Sequence, residues 1–180
     1  MYNKLEIIAA LQTQKLEIPA FLSIIPTQQF FDGSSEKWSV GYHIQHITSA
    51  MNRVAGGLQN AGVLPKREPV TPSRDFATMR ETYSETLRNT PRETLRQLGS
   101  RVTLEEHESP DAYKTQMISS FKDAITNFNT ALEHFDEANL ESLGMPHPIM
   151  GLLSSREMVF FIVFHNTHHQ NGIQKLLEQA

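Results

Sequence analysis

The 180-residue chain contains no cysteine. Disulfides, thiolate zinc sites and a cysteine nucleophile are thereby excluded, which leaves histidine and carboxylate as metal ligands and requires any thiol to come from a substrate. It also lacks a long apolar run. The strongest, MVFFIVF at 158–164, is far shorter than the roughly twenty residues a membrane span needs, and the N-terminal MYNKLEIIAALQTQ has no uninterrupted apolar core of the secretory kind. A soluble, cytoplasmic protein with no membrane partner is expected. Nor is there a basic excess: the net charge is -4, the pI is about 6.0, and the 16 lysines and arginines are scattered. A nucleic-acid binder normally shows a basic stripe, so no nucleic-acid partner is expected.

What is present is an ordinary globular composition, 39% hydrophobic and 20% charged, in a chain of single-domain size. A chain this long buries roughly two-thirds of its unfolded surface around one core, so residues 1–180 are read as one domain. Leu5, Ile8, Ala9, Leu11, Leu16, Phe21 and Leu22 mark a first helix over 2–24, ending before Pro26. After a loop with Gly33, Ser34 and Ser35, the segment WSVGYHIQHITSAMNRVAGGLQNAG spaces Val40, Ile44, Ile47, Met51, Val54 and Leu58 as one apolar helical stripe. Prolines break the chain from Gly62 to Pro72. Phe76, Met79, Tyr83 and Leu87 then predict a helix from Ser73 to about Asn89. TPRE, with Thr90 as cap, starts a short helix that Gly99 stops, and SPDAY, with Ser109 as cap, starts a long one reaching Phe135. The stretch ANLESLGMPHPIMGLLS is read as a loop, and the last helix opens at Ser154 with Glu157 completing a capping box. No strand pattern is visible. The reading is all-α: a four-helix bundle with an extra helical insertion between its second and third helices.

Eight histidines are unevenly placed, three of them within FHNTHHQ near the C-terminus. In the last helix the apolar stripe runs Met158, Phe161, Ile162, His165, His169, Ile173, Leu176 and Leu177, so two histidines stand inside the core stripe at a spacing of four. Residues i and i+4 share a helix face about 6 Å apart, close enough for two imidazoles to hold one cation. Two buried neutral imidazoles hydrogen-bonded to neighbours fit the same spacing, although each unsatisfied ring nitrogen would cost roughly 1–3 kcal/mol. His168 turns to the flank. A third ligand could come from His43 or His46 on the second helix; projection favours His43, about 40° from Ile47, over His46 at about 100°. His107 and His134 stand among acidic residues and read as solvated. His147 reads as a turn residue or one at the mouth of the bundle.

At WSVGYHIQHITSAMN and HNTHHQNGI the chain resembles the DinB and YfiT superfamily of metal-binding four-helix bundles, in motif order and helix placement alike. PHPIMGLLSSREM further resembles a subgroup with a histidine-proline loop before its last helix. The resemblance implies that His46, His165 and His169 hold a divalent ion, zinc or nickel, and so chooses His46 over His43. Many members continue with arginine, glycine and glutamine where this chain has Gln170, Asn171 and Gly172; that departure concerns the substrate rather than the ligands. A three-histidine ion keeps an open position, as catalytic sites do. The family offers metal-dependent hydrolysis and transfer of a low-molecular-weight thiol, such as bacillithiol or mycothiol, to an electrophile. Tyr42, His43, Glu157, Asn166 and His168 are candidates for the surrounding shell or pocket. The reading from another class is a non-catalytic metal-stabilised scaffold or stress-related binding protein, paired as a homodimer through exposed helix faces.

Overall fold

The computed structural model describes residues 3–34, 37–98 and 108–179. Among them are eight α-helices and one two-stranded antiparallel sheet: α1 (Lys4–Ser23), α2 (Thr27–Phe31), α3 (Val40–Gln59), α4 (Phe76–Asn89), α5 (Arg92–Gln97), α6 (Pro110–His134), α7 (Glu137–Ser142), β1 (Gly144–His147), β2 (Gly151–Ser154) and α8 (Ser155–Glu178). The four longest helices touch in cyclic order, α1 on α6, α6 on α3, α3 on α8 and α8 on α1. Their inward faces supply the core: Ile7, Leu11 and Ile18 from α1, Ile44, Ile47 and Met51 from α3, Phe121 and Phe128 from α6, and Phe160 and Ile162 from α8. No helix among the described residues is long and apolar enough to cross a membrane.

The run MVFFIVF belongs to α8, and all seven of its side chains are buried. A helix that is apolar all round must be covered all round. On one side lie α1 and α3; on the other, α4 brings Phe76 to ring distances of 5.7 Å from Phe160 and 5.8 Å from Phe164. The β-hairpin also packs on α8, through His147 against Phe161 at 4.5 Å.

Several local expectations change. The segment read as a loop contains α7 and the hairpin, paired from Gly144 with Ser154 to His147 with Gly151. Strands of four residues, one of them proline, are too short for alternation to show, and the turn is marked only by Gly151 at φ +72°. Helix α4 is capped by Asp75, whose carboxylate accepts the Thr78 amide at 2.8 Å; Ser73 instead donates to Glu141 at 2.6 Å. Thr90 donates its hydroxyl to the Thr86 carbonyl at 2.7 Å rather than capping α5, and Ser109 makes no side-chain cap bond. Ser35, Gly99 and His107 lie outside the described residues.

Two polar devices hold α8 in place. The Glu157 carboxylate completes the capping box with Ser154 and accepts the Arg74 amide at 3.0 Å and Nε at 2.8 Å, clamping the segment before α4 onto the start of α8. Between α1 and α8, Gln14 Nε2 donates to the Val163 carbonyl at 2.9 Å and its Oε1 accepts from Asn166 Nδ2 at 3.0 Å. Buried amides are mostly paired, and although Asn166 Oδ1 has no partner among the described residues, the Gln14–Asn166 bond fits one rotation of α8 about its axis. That rotation turns His165 and His169 toward α3.

Candidate metal centre

Ser39 caps α3 by accepting the Tyr42 amide at 3.1 Å, so the first turn of α3 carries His43 and the next His46. Opposite, in the middle of α8, stand His165 and His169, 2% and 5% exposed. His165 Nε2 lies 3.1 Å from His46 Nε2 and 3.0 Å from His169 Nε2, and one ring nitrogen from each of the three lies within 4.8 Å of the others. Tetrahedral ligands about 2.0–2.1 Å from a zinc ion stand roughly 3.3 Å apart, a spacing that the two shorter separations approach.

The protons point the same way. A contact between two ring nitrogens is a hydrogen bond only if one carries a proton. With His165 protonated at Nε2, a single N–H faces the lone pairs of His46 and His169. A cation in that position would meet all three lone pairs. Burial pulls the imidazole pKa of His46 down to about 4, with Arg53 and His168 adding to the effect, and holds His165 and His169 well below their usual range. All three are therefore neutral near pH 7, the form that binds metals. After burial, the influence that further disfavours protonation of these rings is the positive charge of Arg53 beside His46 and of any neighbouring histidine that takes up a proton.

Aromatic rings pack around the cluster. Trp38 stacks on His169 at 5.6 Å and 8° and meets the His43 and His46 rings at 5.1 and 5.3 Å. Phe161 stacks on His165 at 4.4 Å, and Tyr83 from α4 approaches its edge at 6.1 Å. His165 Nδ1 is buried without a hydrogen-bond partner among the described residues, so on that side packing holds the ring while Nε2 meets the other two histidines.

The sequence-derived candidates fall into distinct places. His43 stands behind the cluster, its Nδ1 2.8 Å from His169 Nδ1. His168 is exposed beside His169, with its ring 6.0 Å from Tyr83. Tyr42 is buried edge-on against Trp38 at 3.9 Å. Asn166 and Glu157 contribute to the two helix-locking devices described above. His147 is buried in the hairpin, with its pKa lowered by burial to about 4, and accepts the Ile149 amide at Nδ1. His134 is exposed. Sequence reasoning missed Phe161 and Tyr83 as neighbours of His165. Phe161 reads as one more core position, and Tyr83 arrives from a separate helix whose packing no spacing rule foretells.

Fold and site together define a class: a mostly helical protein whose two facing helices bring three neutral histidines, two of them buried and His46 half-buried, to one point, where they could hold a metal ion. The chain belongs to the DinB superfamily, whose profile it matches over residues 8–173. No curated protein and no solved structure matches it.

Proposed function

We propose that the protein is a metal-dependent enzyme in which His46, His165 and His169 hold a divalent ion, zinc or nickel, at a site that acts on a small molecule. The observation that carries this reading is the convergence of three ring nitrogens, two of them 3.0 and 3.1 Å from the third, on rings that burial keeps neutral. Such an ion would supply Lewis acidity, lowering the pKa of a water or thiol or polarising a carbonyl. Three imidazoles bring no counter-charge, and Arg53 adds positive potential at His46, so the open position favours an anionic partner such as a thiolate. Transfer of a low-molecular-weight thiol to an electrophile and hydrolysis of a small substrate both fit. Trp38 and Phe161 keep water from the ring faces of His169 and His165. The scaffold, in the same proposal, is a single four-helix bundle of α1, α3, α6 and α8, with α4 and α5 as the insertion.

A second reading, a non-catalytic metal-stabilised scaffold, draws on one observation: Trp38 stacks on His169 and Phe161 on His165, so aromatic rings cover two of the three imidazoles. Titration with zinc, nickel and manganese, followed by thiol–electrophile and ester–amide panels on the loaded protein, separates the readings. Metal-dependent turnover supports the enzyme. Tight binding without turnover supports the scaffold, and binding that survives the double substitution His165→Ala, His169→Ala removes the centre from both.

A further inference from the structure

We propose that His43 and Gly172 form a positioning pair that decides which nitrogen of His169 faces the centre, an inference that rests on the three-histidine reading above. A histidine ligand must present a bare nitrogen to the ion, and which nitrogen is bare depends on what holds the proton at the other. For His169 the other nitrogen is Nδ1, and His43 Nδ1 lies 2.8 Å from it. When His169 Nδ1–H donates to His43, His169 Nε2 is left as a lone pair directed toward His165 Nε2 at 3.0 Å. His43 then keeps its own proton on Nε2. In this role, more often filled by a carboxylate, backbone carbonyl or water, stands a neutral imidazole, which leaves the positive charge of the site undiminished.

Gly172 makes the room. It lies on α8 three residues beyond His169, and a Cβ built there would stand 3.2 Å from His43 Cε1 and 3.8 Å from both of that ring's nitrogens. The His43 ring cannot retreat freely, because Trp38 lies 5.1 Å away and is itself held between His169 and Tyr42. The glycine thus has a steric purpose in a helix interior where alanine would be about 1 kcal/mol more favourable. It also gives a physical meaning to QNG, the departure from the commoner continuation of the motif. Gly172 is a positioning residue and touches no reacting atom.

The test compares the parent with His43→Leu, Gly172→Ala and His43→Asn, the last because an asparagine oxygen can take the place of Nδ1. Long-range proton–nitrogen NMR of the imidazoles in the metal-free protein reports the His169 tautomer. Competition with a chelator reports cobalt(II) affinity, and its visible spectrum reports the ligand field. The expected result is a parent His169 protonated at Nδ1. In His43→Leu and Gly172→Ala the tautomer becomes mixed and cobalt affinity falls about 10- to 100-fold, while the helical circular dichroism is retained. His43→Asn should recover most of the loss. An unchanged tautomer in His43→Leu, with affinity within twofold of the parent, overturns the proposal. If the parent binds no cobalt but the tautomer shifts as stated, the metal reading fails and the positioning pair stands. If His165→Ala, His169→Ala abolishes binding while His43→Leu changes neither readout, the positioning pair fails and the metal reading stands.

Discussion

His46 Nε2 on α3 and His165 Nε2 on α8 are 3.1 Å apart across a separation of 119 residues in sequence. Neither helix contains the centre by itself, so cation binding should join them. Zinc at about 100 times its dissociation constant is expected to stabilise the protein by roughly 2.7 kcal/mol. His46→Ala should lower cobalt(II) affinity by more than about 100-fold, beyond the range for loss of an outer partner. Thermal melts with and without metal, together with chelator competition, check both; an equal melting rise in His46→Ala would count against the ligand set.

The metal-free protein should lose stability on acidification. The imidazoles of His43, His46 and His147 fall from a usual 6.5 to about 4, first through burial. Between pH 6.5 and about 4 the unfolded chain therefore binds more protons than the folded one, so stability rises with pH across that window and is complete above it. Urea denaturation at pH 4.5, 5.5 and 7 reads the slope. A flat profile would mean that the rings are not neutral and buried as described.

Arg74 donates through both its amide and Nε to the buried Glu157 carboxylate. Burial alone would raise that carboxyl's pKa, but these bonds and the Ser154 amide outweigh it and hold it below the ordinary value. Arg74→Ala is expected to cost about 2 kcal/mol, the scale of a hydrogen bond to a charged group. It should also speed amide exchange in the segment before α4. Loss of stability without local opening would place the effect elsewhere.

Gln14→Leu removes the oxygen acceptor of Asn166 Nδ2 inside the core and leaves it only the weak Met51 sulfur at 3.5 Å. A stranded buried amide costs roughly 1–3 kcal/mol. Because the pair sets the rotation of α8, cobalt affinity should fall with stability. The double substitution Gln14→Leu, Asn166→Leu should recover part of the stability, as measured by chemical denaturation; no recovery would argue for a packing effect instead.

Long-period features were the most legible. Helices α3, α6 and α8 are each twenty or more residues long, and over such lengths a 3.6-residue period can be counted; α1 is as long but its pattern is uneven, and Leu5 and Leu16, read as part of its stripe, are exposed. Helix α2 spans five residues and each hairpin strand four, too few for any period to be counted. The start of α4 expected at Ser73 and the cap expected at Thr90 both shifted, because a competing partner, Glu141 or the Thr86 carbonyl, lay within reach. Local rules do not see such competitors.

By itself, the sequence determined that His165 and His169 share one face of the last helix, since spacing along a helix is set by backbone geometry. Tertiary structure decided what faces them. Projection placed His43 deeper in the apolar arc than His46, yet His46 meets His165 at the centre while His43 stands behind His169. Helical period specifies direction around an axis but not the height or rotation at which a second helix arrives. Those were set by packing: Trp38 against the histidines, Gly172 beneath His43, and the Gln14–Asn166 pair on the far side of α8.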